Sequence, residues 1–216
     1  MIAVIVCLAA VSAANAQQEF PPPQGKGRVV VMGSGMAGPS IITAVARDIA
    51  ELGYDVVVYD GNTWEGTHGD SLKTAITQSQ QMPHALPGKV ALVGFSLGGG
   101  IEMFYGVQWP DLVAGAVLWY PENQFITVPA GWAGMQQIPI LLFAGGKDHY
   151  YNDCCTSAYA QTLAAASTGA GKHFELVVYP DEDHDFAKGG PHYNAKDYED
   201  TLKRTAAQLK IYFSAK

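Results

Sequence analysis

The strongest constraint on the fold is a glycine-flanked serine that follows a short apolar segment. Residues 90–99 read V-A-L-V-G-F-S-L-G-G, so Ser96 lies at the centre of a G-x-S-x-G motif. Small residues two positions on either side let the chain make a sharp turn that exposes the serine hydroxyl at the end of a buried strand. The following helix directs backbone N–H groups at an anion formed there. A helix N-cap is the simpler role for Ser96, but Gly94, Gly98 and Gly99 favour the nucleophile turn.

Two more polar side chains follow apolar segments further along the chain. Asp148 comes after residues 138–144, and His184 comes after residues 174–179. A serine, then an aspartate, then a histidine, each just past the end of a strand, is the order of the α/β-hydrolases. We therefore predict that Ser96, Asp148 and His184 form a catalytic triad.

The other acidic and imidazole side chains have simpler interpretations. The aspartates of residues 181–185 are expected in a solvated loop, and the other five histidines at surface or structural positions. A calcium loop needs glycine and glutamate where this chain has Phe186 and His192, so no metal site is predicted.

Apolar segments and helical periods alternate along the chain. A length of 216 residues, with 48% hydrophobic and 15% charged residues, suits one globular α/β domain over residues 25–216. Continuous apolar strands separated by helices predict a mostly parallel sheet with helices on both faces. Together with the order of serine, aspartate and histidine, this predicts an α/β-hydrolase fold. The predicted strands are residues 28–32, 55–59, 90–93, 113–119, 138–144 and 174–179; the predicted helices are residues 41–52, 70–81, 96–109, 156–166 and 195–213.

Residues 1–16 have the pattern of a signal peptide. The segment is apolar and ends in Ala14-Asn15-Ala16, an A-x-A cleavage site that would leave Gln17 as the mature N-terminus. A buried N-terminal strand or helix is the alternative. We expect an exported protein, periplasmic or secreted, without a membrane anchor in the mature chain. A net charge of −7 without a run of Lys or Arg argues against nucleic-acid binding.

Cys154 and Cys155 are neighbours in sequence. A bond between adjacent cysteines closes a small ring and restricts little chain entropy. We therefore expect two separate small side chains near a helix start, one of them buried. A vicinal disulfide is the alternative in an oxidising compartment.

A second glycine-rich motif competes for the function. Residues 33–38 read G-S-G-M-A-G after a predicted strand, and Asp60 follows 22 residues later. This spacing is also that of a dinucleotide-binding turn and its ribose-binding acid. An α/β-hydrolase needs a glycine-rich turn at the same place, because one oxyanion donor comes from that loop. A dinucleotide-binding oxidoreductase is therefore kept as the alternative function.

The chain resembles the dienelactone hydrolase family over residues 27–214. The resemblance is carried by G-F-S-L-G-G-G at 94–100, A-G-G-K-D at 144–148 and F-E-L-V-V-Y-P-D-E-D-H-D-F at 174–186. Founding members of that family carry a cysteine nucleophile where this chain has Ser96, and a glutamate where it has Ser34. These differences favour an ordinary serine esterase over dienelactone cleavage.

The predicted function is hydrolysis of a small carboxylic ester or lactone without a cofactor. His184 takes the Ser96 proton, Asp148 orients the imidazole, and an acyl-enzyme forms. The amides of Leu97 and of the Ser34–Gly35 turn are expected to hold the oxyanion. The expected pocket walls are Phe95, Trp119, Tyr120, Tyr150, Tyr151 and Phe186. Whether residues 121–137 form a cap, and which oligomer forms, is left open by the sequence.

Overall fold

Seven strands form one sheet in the computed structural model, which describes residues 17–214. The predicted signal peptide, residues 1–16, lies outside the described residues. The order across the sheet is β1-β3-β2-β4-β5-β6-β7. All neighbouring strands are parallel except β1, which is antiparallel to β3. The strands are β1 (Gln18–Phe20), β2 (Val29–Gly33), β3 (Asp55–Tyr59), β4 (Val90–Phe95), β5 (Val113–Trp119), β6 (Ile140–Gly145) and β7 (Phe174–Tyr179).

Helices cover both faces of the sheet, as predicted. They are α1 (Thr43–Ala50), α2 (Asp70–Ser79), α3 (Ser96–Tyr105), α4 (Pro129–Met135), α6 (Ser157–Gly169) and α7 (Ala195–Ser214), with a single distorted turn, α5 (Tyr150–Asp153), whose backbone is partly non-helical. One apolar core joins the sheet to α2, α3, α4 and α6, and a second joins it to α1 and α7. No helix within residues 17–214 combines the length and the apolar character needed to cross a bilayer.

The N-terminal edge of the sheet differs from the prediction. Gln18–Phe20 pairs with β3, although these residues lie before the expected domain boundary at residue 25. The strand has three residues and two of them are polar, so its own sequence carries no strand pattern. Pairing with the buried β3 supplies the missing stabilisation.

Residues 121–137 contain the short helix α4, and none of them lines the cleft over Ser96. The Trp132 side chain is 1% exposed, and its indole N–H donates to the Met103 carbonyl of α3 at 3.0 Å. The segment therefore belongs to the core on the α3 face.

Candidate active site

Ser96 lies at the junction of β4 and α3 with left-handed backbone, φ 48°. A side chain on Gly98 would place its Cβ 2.5 Å from the Ser34 carbonyl oxygen, and one on Gly94 would overlap the Gly99 backbone. Glycine is required at both positions because another chain segment occupies the space of a Cβ. The N-cap position of α3 is occupied by Phe95, and Ser96 is the first helical residue, so the N-cap interpretation is wrong.

The structure brings Ser96, His184 and Asp148 into one hydrogen-bonded chain. The Ser96 hydroxyl lies 3.0 Å from His184 Nε2, and His184 Nδ1 lies 2.8 Å from Asp148 Oδ2. Because an ionised carboxylate only accepts, Nδ1–H donates to Asp148 and Nε2 is left to accept the serine proton. The three residues are 5%, 1% and 2% exposed, respectively.

Backbone groups hold the aspartate and the histidine in place. The Tyr150 amide donates to Asp148 Oδ1 at 3.1 Å, so both carboxylate oxygens are engaged. The His184 amide donates to Asp183 Oδ1 at 2.7 Å, and His192 Nδ1 donates to the His184 carbonyl at 2.6 Å. The imidazole therefore has one well-determined orientation and tautomer.

The predicted pocket residues separate into two groups. Phe95 and Tyr150 line the cleft over Ser96. The Tyr150 ring is 41% exposed and stacks flat on the His184 imidazole, with centroids 4.4 Å apart. Tyr151 is 64% exposed and packs beside Tyr150, outside the cleft lining.

The other three predicted walls are fully buried behind the imidazole. The Tyr120 ring meets His184 edge-on at 4.8 Å, and the rings of Phe186 and Trp119 pack behind it. Each of the three is 0% exposed. Their prediction as cleft walls is wrong, because Trp119 and Tyr120 at the end of β5, and Phe186 in the loop after His184, point into the core. They support the histidine from the protein side.

Sequence reasoning missed most of the cleft lining. The additional lining residues are Met36, Ala37, Gly38, Ile41, Ile42 and Asp185. Five of them belong to the loop after β2, the same loop that was predicted to supply an oxyanion donor. The predicted oxyanion role of this loop could have identified these residues, because a loop that reaches the reacting carbonyl also contacts the rest of the substrate.

Fewer backbone amides can donate to the oxyanion than predicted. Leu97 is in the first turn of α3, where amides have no acceptor within the helix. Gly35 lies against the serine, since a Cβ built on it would be 3.3 Å from Ser96 Oγ. The Ser34 amide instead donates to the Tyr59 carbonyl at 3.1 Å. Ser34 is therefore excluded as a donor, because β3 already uses its N–H.

A buried acid lies directly behind the two glycine turns. Glu102 of α3 is 0% exposed, and its carboxyl reaches the backbone of Gly33 and of Gly94. Neither oxygen accepts a well-formed hydrogen bond from residues 17–214. Burial raises the pKa of Glu102 well above its usual range, and the Gly33 amide offsets this only in part. The neutral carboxyl fills the space beneath the turns.

The loop after Asp148 contains a vicinal disulfide. Cys154 and Cys155 are joined, so the prediction of two separate side chains is wrong. The small effect of a vicinal disulfide on chain entropy indicates only how much the bond would stabilise the protein. It does not indicate whether the two sulfurs are bonded. The Cys154 carbonyl accepts from the Asn123 amide at 2.9 Å. This hydrogen bond ties the end of the loop that begins at Asp148 to the segment after β5, whereas the disulfide closes only the small ring between the two cysteines.

These features define the class of protein. The parallel sheet, the strained serine turn and the Ser–His–Asp geometry at the carboxyl ends of β4, β6 and β7 are those of an α/β-hydrolase. The profile of the dienelactone hydrolase family matches residues 59–213. The chain belongs to the dienelactone hydrolase family.

Individual relatives agree with this assignment. The chain is 32% identical over 131 residues to the Escherichia coli (strain K12) protein named "Putative carboxymethylenebutenolidase", covering 57% of this chain and 46% of that one. The chain thus spans about half the length of the curated relatives it matches.

Solved structures share the fold. The "Putative Dienelactone Hydrolase" from Klebsiella pneumoniae has a TM-score of 0.73 at 20% identity, covering 90% of this chain and 92% of that one. Est1E from Butyrivibrio proteoclasticus, solved with ferulic acid, has a TM-score of 0.71 at 13% identity, covering 91% and 96%.

Proposed function

We propose that the protein is a serine hydrolase of small carboxylic esters or lactones. The observation that carries this proposal is the unbroken hydrogen-bond chain from Ser96 Oγ through both His184 nitrogens to Asp148. Membership of the dienelactone hydrolase family and the names of the relatives support it.

The geometry supplies each step of acyl transfer. Ser96 Oγ attacks the carbonyl carbon while Nε2 of His184 takes the hydroxyl proton, and Asp148 stabilises the resulting imidazolium. The amides of Leu97 and Gly35 stabilise the oxyanion. The C–O bond breaks, the leaving alkoxide takes the proton from Nε2, and an acyl-enzyme remains. Water then attacks the acyl carbon, gives its proton to Nε2, and the acid leaves as Oγ is reprotonated.

The cleft lining indicates a small, mainly apolar substrate. Met36, Ile41, Ile42 and Phe95 present apolar surface around Ser96. In a lactone the leaving alkoxide stays attached to the acyl group, so a compact cleft accommodates both halves of the scissile bond. The names of the curated relatives, which refer to a butenolide, agree with this class.

We also propose that the protein acts in an oxidising compartment. The vicinal disulfide supports this location, since disulfides persist mainly outside the reducing cytosol. We expect the intact mass of periplasmic protein to correspond to a chain that starts at Gln17. A retained Met1 in that fraction would contradict export.

A panel of p-nitrophenyl esters and simple lactones tests the activity. We expect turnover of short esters or lactones, covalent labelling by a fluorophosphonate, and loss of both in Ser96→Ala. The Ser96→Ala thermal midpoint should stay close to that of the unmodified protein, because the hydroxyl contributes little packing. Labelling that persists in Ser96→Ala would show that another residue is the nucleophile.

Asp148→Asn tests whether Asp148, and not a neighbouring aspartate, is the acid of the triad. An amide at this position stabilises the wrong imidazole tautomer, so kcat should fall by about 10⁴-fold while the fold is kept. Asp181→Asn is the matched control, since Asp181 pairs with exposed Lys147 and should retain full activity. A larger loss in the control would mean that the acid is misassigned.

The dinucleotide alternative is not supported. Gly35 packs against Ser96, and the Gly98 amide donates to the Ser34 carbonyl at 3.1 Å. The turn at residues 33–38 is thus part of the serine site. We expect no shift of the thermal midpoint with millimolar NAD or NADP, whereas a bound cofactor would raise it by mass action.

A further inference from the structure

Three side chains from separate segments meet at the edge of the sheet opposite to Ser96. Asp55 is the first residue of β3. Glu19 of β1 pairs with Val57, so its side chain is on the same face as Asp55, two positions along β3. His84 comes from the loop between α2 and β4. The triad lies at the carboxyl ends of its strands, whereas this cluster lies at the amino end of β3.

The backbone holds the His84 loop tightly against β3. The Gly27 amide donates to the His84 carbonyl at 2.9 Å, and the Leu86 amide donates to the Gly27 carbonyl at 2.8 Å. A Cβ on Gly27 would lie 2.6 Å from the Asp55 nitrogen. Only glycine permits this approach, and the approach places His84 beside the two carboxylates.

The cluster holds a buried carboxylate with no hydrogen-bond donor. Asp55 is 0% exposed, and neither of its oxygens accepts a hydrogen bond from any group in residues 17–214. Within the same residues, no lysine or arginine forms an ion pair with Glu19 or Asp55. Buried carboxylates without partners are rare and costly, so this one calls for a counter-charge.

The three donor groups converge on one point. One ligand atom from each of Glu19, Asp55 and His84 lies within 4.8 Å of the other two. His84 Nδ1 is 2.9 Å from Glu19 Oε1. The Glu19 and His84 side chains are 17% and 43% exposed, which leaves an entry path from solvent on their side.

We propose that Glu19, Asp55 and His84 bind one divalent transition-metal ion, with Zn²⁺ as the best match. An imidazole nitrogen with two carboxylate oxygens suits zinc, whereas Ca²⁺ and Mg²⁺ take oxygen ligands throughout. Zinc bonds to such ligands are about 2.0–2.2 Å long, which places tetrahedral ligand atoms about 3.4 Å apart. The ligand atoms of the cluster are at present between 2.9 and 4.8 Å apart, so small side-chain movements would bring them to that spacing. Water from the exposed side would complete a tetrahedral site.

The ion would act on the structure and not on catalysis. It ties the three-residue strand β1 and the His84 loop to β3, and it neutralises charge that burial otherwise opposes. Burial and the neighbouring Glu19 raise the pKa of Asp55 to about 6, which is the direction expected when two carboxyls share a site without a cation.

Zinc binding to metal-stripped protein without a histidine tag tests the site. We expect one Zn²⁺ per chain by equilibrium dialysis with elemental analysis, and a thermal midpoint that rises with free zinc. His84→Ala and Glu19→Gln should each lower the affinity at least tenfold. His149→Ala is the matched control, because His149 forms an exposed pair with Asp153 at 2.7 Å, and it should bind zinc as the unmodified protein does.

Three results would overturn the proposal. The first is the absence of stoichiometric zinc, which would leave the cluster as carboxyls that share a proton. The second is unchanged zinc binding in both His84→Ala and Glu19→Gln. The third is ester hydrolysis that is inhibited in proportion to bound zinc, which would place the ion on the triad instead.

Discussion

At the scale of single residues, Ser96 is both the proposed nucleophile and a residue with a strained backbone. The positive φ of this residue costs free energy that a serine outside such a turn does not bear. The neighbouring glycines permit the turn, and the buried Glu102 fills the space beneath it. The G-x-S-x-G spacing predicted the turn, but nothing in that motif indicates that an acid six residues later supports it.

Replacing Glu102 with glutamine should change how stability depends on pH. The folded protein keeps the Glu102 proton above the ordinary pKa of 4.5, whereas the unfolded chain releases it. The free energy of unfolding therefore falls as pH rises above about 4.5, by at most about 1.4 kcal/mol per pH unit. Glu102→Gln removes this contribution, so its stability relative to the unmodified protein should increase between pH 5 and pH 8.

Urea denaturation at several pH values measures this difference. Glu51→Gln, at an exposed position after α1, is the control and should follow the unmodified protein throughout. A Glu102→Gln profile parallel to that of the unmodified protein would show that Glu102 is ionised in the folded state.

At the scale of elements, the buried strands were the most predictable part. The predicted bounds of β3, β5 and β7 agree with the structure, because short, mainly apolar runs between turns leave few alternatives. The triad followed from the same pattern, since each of its members lies within five residues of the carboxyl end of a strand.

The parts that sequence could not predict depend on contacts between distant segments. β1 forms only because β3 offers a partner. The Glu19–Asp55–His84 cluster has no motif spacing, so the sequence predicted no metal site. Three successive residues, Tyr151, Asn152 and Asp153, have positive φ values. No sequence pattern in this polar loop predicts such a backbone.

Reduction of the vicinal disulfide should affect activity more than stability. The closed ring restricts little chain entropy, so Cys154→Ser combined with Cys155→Ser should lower the thermal midpoint by only a few degrees. The same loop carries Tyr150, whose ring covers His184 and whose amide holds Asp148. We expect a several-fold loss of kcat/KM for ester hydrolysis in the double variant.

Treatment of the unmodified protein with a mild thiol reductant should give the same loss, and reoxidation should reverse it. Cooperative unfolding on reduction, or full activity in the double variant, would contradict this assignment.

At the scale of the whole molecule, α7 packs on the sheet and forms part of the second core. A Cβ on Gly115 of β5 would lie 2.5 Å from the Tyr212 ring, and the Tyr212 hydroxyl donates to the Ala116 carbonyl at 3.0 Å. The tyrosine lies flat on the strand because Gly115 has no side chain. This contact limits how closely the C-terminal helix approaches the sheet.

Gly115→Ala should therefore destabilise the protein by about 1–3 kcal/mol, because the ring and the helix must move outward. Gly134→Ala is the matched control, since a Cβ there meets no atom within 4 Å and alanine favours the helix by up to about 1 kcal/mol. Chemical denaturation of both variants checks the difference. Equal stabilities would show that α7 adapts without cost.

The glycine turns that hold Ser96 and the exposed residues of the cleft differ in the substitutions that they tolerate. The glycine turns beneath Ser96 interlock backbone against backbone, so almost any substitution there removes the fold together with the activity. The cleft-lining side chains of Met36 and Tyr150, each 41% exposed, have room to vary. New ester preferences should therefore arise in this lineage, or in a selected library, at these exposed positions while the serine turn is inherited unchanged.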